Sequence, residues 1–110
     1  MGRWLYLVYC NSADPTREAE LNKWYDNVHL PDVLTTPGFR RAWRYENTAP
    51  APGEGKFVAA YDIESDDIDA TMAALRQNIT RWHEQGHHSS LLKVTGRGLY
   101  RLLTPETKAK

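Results

Sequence analysis

The chain has 110 residues, enough for one folding unit with its own core and short for two. Hydrophobic residues make up 41% and charged residues 25%, a globular composition that sets aside a disordered or membrane-embedded chain. Fourteen Lys and Arg balance fourteen Asp and Glu, so no net field gathers a nucleic acid or an anionic membrane, and neither is expected as a partner.

Residues 3–10 (RWLYLVYC) form a continuous apolar and aromatic run, too short for a helix, and read as a first strand covered on both faces. Cys10, the single cysteine, falls inside it and behaves there as a small hydrophobe. One cysteine cannot close an internal disulfide, and residues 1–20 lack the basic and apolar segments of a secretory leader. The expected compartment is the cytoplasm. Asp14 and Pro15 then supply an N-cap and a first helical position. Leu21, Trp24, Tyr25 and Val28 recur at helical spacing, predicting a first helix to about His29, with a bent or short helical extension over 30–36 because Pro31 disfavours helical backbone at Leu30.

Pro37-Gly38 punctuates a turn. Residues 39–47 (FRRAWRYEN) alternate Phe39, Arg41, Trp43 and Tyr45 with Arg40, Ala42, Arg44 and Glu46, predicting a second strand with one aromatic and one mostly charged face. A Pro- and Gly-rich loop over 48–55 leads to a third strand at 57–64. Ser65, with aspartates at 66, 67 and 69, caps a second helix whose buried stripe is Ile68, Met72, Leu75, Ile79 and Trp82, and Gly86 ends it. A last strand spans 91–103 and is bulged near Gly96 and Gly98, and residues 104–110 form a polar tail expected to be flexible.

The order β, α, β, β, α, β over one domain, 1–110, defines an α+β, ferredoxin-like arrangement with a four-stranded antiparallel sheet. Both helices then cover one face and leave the other bare. A bare face next to so apolar a first strand calls for a partner, and a second sheet packed face to face would supply one.

The most informative stretch is 22–39, NKWYDNVHLPDVLTTPGF. Helical geometry places Asn22, Asp26 and His29 on one flank beside the apolar stripe, with Tyr25 one turn before His29. A helix C-terminus and a carboxylate at Asp26 or Asp32 would favour and orient an imidazolium, as a general acid or base requires. The plain alternative is that His29 caps the helix end and both carboxylates face water.

Trp24-Tyr25, His29-Leu30-Pro31 and Pro37-Gly38-Phe39 together resemble the signature of EthD-like proteins of the dimeric α/β-barrel superfamily. The resemblance implies a homodimer whose sheets close into a barrel, with small-molecule pockets between sheet and helices. It also implies a catalytic role for His29. Members and relatives of the superfamily include polyketide cyclases and dehydratases, lactone isomerases, cofactor-free monooxygenases and haem-handling enzymes.

Other signals compete with this one. Residues 83–87 (HEQGH) match a zinc-peptidase pattern, but Gly86 ends the helix and no third ligand stands at a useful spacing, so no metal is expected. His83, at the edge of the second stripe, is instead a candidate pocket residue or haem ligand. Trp24, Trp43 and Tyr6 are candidate pocket walls, and the Tyr61 phenol is placed to donate to a developing enolate. Arg40, Arg41 and Arg44 suit a carboxylate or phosphate, or simply a solvated edge. The RNA-binding members of the fold need an aromatic and basic central strand, which 91–103 does not match.

The sequence thus points to a cofactor-independent enzyme, a cyclase, dehydratase or isomerase acting on an aromatic or polyketide-like carbonyl compound. His29 is its acid or base, Asp26 or Asp32 the orienting carboxylate, and Tyr25 or Tyr61 a donor to substrate oxygen. A cofactor-free monooxygenase and a non-catalytic binding dimer are the alternatives.

Overall fold

A computed structural model describes residues 2–110 and shows a four-stranded antiparallel sheet, β1 (Gly2–Ser12), β2 (Phe39–Glu46), β3 (Phe57–Ser65) and β4 (Leu92–Arg101), in the order β2-β3-β1-β4. The helices are α1 (Glu18–Trp24), α2 (Leu30–Val33) and α3 (Ile68–Glu84), and all pack on one face. This is the expected ferredoxin-like α+β fold. The core lies between helices and sheet, where Leu21, Tyr25, Val33, Leu75 and Trp82 meet Val8, Cys10, Phe39, Tyr61 and Ile63. No described helix is long and apolar enough to cross a membrane.

The first helical segment departs from expectation in an informative way. Asp14 caps it, accepting the Thr16 N–H at 3.0 Å, and Pro15–Arg17 form a 3₁₀ turn leading into α1. Helical backbone does not stop near His29. A π turn over Tyr25–His29 joins α1 to α2, and the Leu30 N–H reaches back five residues to the Tyr25 carbonyl. Pro31, with no N–H to give, sits in the first turn of α2 just beyond this widened turn, where the missing bond disturbs least. The bend expected over 30–36 is therefore absorbed as one extra residue in a continuous helix.

Strand registers also differ from simple alternation. A shift between Phe39 and Arg41 turns Phe39 toward the helices, while Arg41, Trp43 and Tyr45 stand on the bare face. The predicted aromatic face is thereby split, and Arg44 points inward, not to solvent. β1 is longer than predicted and is covered by helices on one side only, leaving Leu5 exposed on the other. The α3 cap is Asp67, which accepts the Ala70 N–H at 3.1 Å; Ser65 instead accepts from the Asp67 N–H and pairs with the Thr71 hydroxyl. α3 ends as predicted, with Gly86 at φ 78° and the His87 N–H closing back on the Trp82 carbonyl. β4 is bulged opposite Tyr9 and Cys10, as the two glycines suggested, and ends at Arg101.

Candidate functional site

The π turn sets the position of His29. Its imidazole lies flat on Trp24, with centroids 4.9 Å apart and planes at 18°. Tyr25 meets it edge-on at 5.1 Å, and Trp82 of α3 does so at 6.5 Å. No described residue hydrogen-bonds the ring. Burial lowers its pKa from 6.5 to about 4, the Asp32 charge opposing this and that of Arg44 adding to it. The cationic form favoured by a helix end is therefore not the state here. His29 is neutral at neutral pH, with one ring nitrogen bearing a lone pair, one bearing a proton, and neither committed to a partner.

His29 is the wall between two small cavities, each of about 60 Å³. The inner cavity lies between helices and sheet and is lined by Tyr6, Val8, Val33, Tyr61, Leu75 and Val94, with Ile79 and Arg97 at its exposed rim. The outer one is bounded by Trp24, Trp82, His83, His87 and His88.

Phenols dominate the polar chemistry of the inner cavity. The Tyr61 hydroxyl is fully buried, and its nearest polar neighbour of note is the Tyr25 phenol. Tyr25 and Tyr61 lie close enough to influence each other's ionisation, and burial pushes both phenols well above their ordinary range. Both are held protonated, as donors. Tyr6, tilted against Tyr61 at 5.9 Å, is also raised by burial, with Arg97 beside it acting in the opposite direction. A neutral imidazole and two tyrosines, Tyr6 and Tyr61, thus line one largely apolar space. Such a site can accept a proton from carbon and stabilise the oxygen that gains charge.

The structure brings together His29, Tyr25, Trp24, Tyr61 and Tyr6, and places the other predicted residues elsewhere. Asp26 is exposed and accepts from Arg44 at 3.2 Å, because the extra residue of the π turn swings His29 away from the Asp26 flank. It does not orient His29. Asp32 is engaged by the Nδ1 of His87 at 3.0 Å, so it reaches His29 by its field alone. Trp43 stands on the bare face, with the sheet between it and His29. His83 stacks on His88 at 4.0 Å on the exposed side of the outer cavity, and no described group of His, Cys, Asp or Glu is arranged to hold a metal.

The sequence reading put Arg44 on the wrong face and missed Arg97. Arg44, assigned to a charged face, is largely buried over the Tyr25 ring at 4.3 Å and donates to the Asn22 side chain at 2.8 Å, tying β2 to the helix that carries His29. Its i, i+2 spacing from Ala42 was the available signal. Arg97, between two glycines, reaches the inner cavity through the β4 bulge.

Neither the family models nor the curated proteins contain a match to this chain. Solved structures do match. HapK from Hahella chejuensis aligns over 100% of both chains at 15% identity and a TM-score of 0.60. The cofactor-independent oxygenase SnoaB from Streptomyces nogalater, in a mutant form, aligns over 98% of each chain at 18% identity and 0.63. A dimeric ferredoxin-like protein from an uncultured marine organism aligns over 99% of this chain and 95% of its own at 10% identity and 0.62. At these identities the likeness establishes the ferredoxin-like fold of this chain.

Proposed function

We propose that the protein is a cofactor-independent enzyme that draws a proton from an enolisable aromatic or polyketide-like carbonyl compound, with His29 as the base. The observation that carries this reading is the neutral, desolvated and uncommitted His29 imidazole in the wall of a cavity that Tyr61 and Tyr6 also line. A carbon–hydrogen bond of the substrate breaks toward a His29 nitrogen, and its electron pair moves onto the carbonyl oxygen. Tyr61, or Tyr25 beside it, donates to that oxygen. Trp24 holds the imidazole plane, and Tyr6 walls the pocket. Return of the proton at another atom gives isomerisation, attack of the carbanion on an internal carbonyl gives cyclisation, and loss of hydroxide gives dehydration.

At about 60 Å³ the cavity is several-fold smaller than the roughly 300 Å³ at which ligand pockets begin, so the substrate must part the rim. Ile79 and Arg97, both exposed, are the side chains free to move.

A second reading is a cofactor-free monooxygenase, in which the same carbanion reacts with dioxygen; it is favoured by the SnoaB likeness. Turnover of aromatic β-dicarbonyl compounds without oxygen supports the first reading, and oxygen uptake matched to substrate loss supports the second. Retention of either activity in His29→Gln contradicts both. The dimeric barrel belongs to the same proposal: a second copy covers the bare face, which carries Leu5, Trp43, Tyr45 and Tyr100.

A further inference from the structure

β4 contains one irregularity, and it decides which face of the sheet receives Arg97. Cys10 pairs with Val94, but Tyr9 pairs with Gly96, so Thr95 is an extra residue. With unbroken pairing, Arg97 would oppose Leu7 and stand on the bare face. The bulge makes it oppose Val8, a core residue, and so aims it at the helix-covered face. There it lines the inner cavity with His29 and Tyr61.

The guanidinium has no ion-pair partner among the described residues. The two charges that act on the neighbouring Tyr6 phenol, Arg97 and Arg76 of α3, are both positive. An apolar cavity with a neutral base inside and an uncompensated cation on its rim suits a ligand that carries or acquires one negative charge on oxygen.

We propose that Arg97, re-aimed by the β4 bulge, is the anion-recognising residue of this cavity and selects ligands with an ionised or ionising oxygen: phenolates and enolates. This deepens the reading of His29 as base and rests on it. When the substrate C–H bond breaks, the proton goes to His29 and the electron pair to oxygen, and Arg97 pairs with the charge so formed. The guanidinium needs only to swing across the rim, since the side chain is exposed.

The test uses the full chain and 4-nitrophenol, whose phenolate absorbs in the visible, at the pH where half the free probe is ionised. An apolar pocket alone would bind the neutral phenol. The proposal predicts that bound probe shifts toward phenolate, with about a tenfold preference for the anion, that Arg97→Gln abolishes the shift, and that Arg97→Lys keeps part of it. Tyr45→Phe, on the bare face, is expected to retain the shift. No binding, a shift toward phenol, or an unchanged shift in Arg97→Gln overturns the proposal. Because the probe undergoes no reaction, a failure of His29 as base appears as unchanged turnover in His29→Gln and stays separate from the probe result.

Discussion

The two faces of the sheet are built from the same kinds of residue and differ in what covers them. On the helix-covered face Tyr61, Ile63 and Cys10 are at most 1% exposed, and the one imidazole there has lost its charge to burial. On the bare face Tyr45 is 58% exposed, Tyr100 52% and Leu5 36%. Its one buried charge, Asp62, is held between Arg41 at 2.9 Å and Arg3 at 3.4 Å, and those guanidiniums keep its carboxyl below its usual range despite desolvation. Tyr100 folds back over Gly98, where a Cβ would collide with its ring, as aromatic side chains do to cover a glycine in a sheet. One face thus holds a desolvated imidazole without a hydrogen-bond partner, and the other holds partnered charges among exposed aromatic rings.

The largest effect that would break this comparison is chemical. His29→Gln is predicted to lower turnover by roughly 10²–10⁴, the usual worth of a general base, while Tyr45→Phe on the bare face leaves it unchanged. Steady-state kinetics on one enolisable substrate reads both.

Stability sharpens the contrast. Ile63 is completely buried on the helix side, and Ile63→Ala is expected to cost about 3–4 kcal/mol in urea unfolding. Leu5→Lys should leave the protomer folded and weaken self-association at least about tenfold by sedimentation.

Acid separates the faces next. A histidine held at a pKa of about 4 in the fold and 6.5 when unfolded contributes stability that is fully present above pH 6.5 and is lost as pH falls toward 4, because the unfolded chain binds the proton first. The loss over that window is about 3 kcal/mol, and His29→Gln should flatten it in urea melts run from about pH 7 to about pH 4. The Asp62 carboxyl, lowered from 3.8, contributes only below that window.

The smallest predicted effect concerns Asp26. Its carboxylate is 59% exposed and meets only Arg44, so Asp26→Asn should change stability by less than about 1 kcal/mol and leave turnover intact. A loss of turnover comparable to that of His29→Gln would restore Asp26 as the orienting carboxylate.

Most of the fold was legible because its signals are periodic or local: the stripe of α3, the Asp14 cap and the Gly86 stop all act over a few residues. The site was legible at His29, Tyr25 and Trp24, which lie close together in one motif, and at Tyr61 and Tyr6 as apolar-strand phenols. Three one-residue events hid the rest. The π turn moved His29 off the Asp26 flank, the β2 shift carried Arg44 inward and left Trp43 outside, and the β4 bulge brought in Arg97. Each inserts a single residue into a regular repeat, and every side chain beyond it changes face. Position in a periodic pattern cannot announce where the period breaks, although the glycines flanking Arg97 marked one such place.

The central claim is that His29 is a desolvated neutral base between two cavities, and the most direct measurement is an NMR titration of its imidazole in the intact protein. The account predicts a midpoint near 4, well below the ordinary 6.5 of an imidazole. A midpoint at or above 6.5 would show a hydrated or carboxylate-paired ring and would contradict both the buried base and the chemistry built on it.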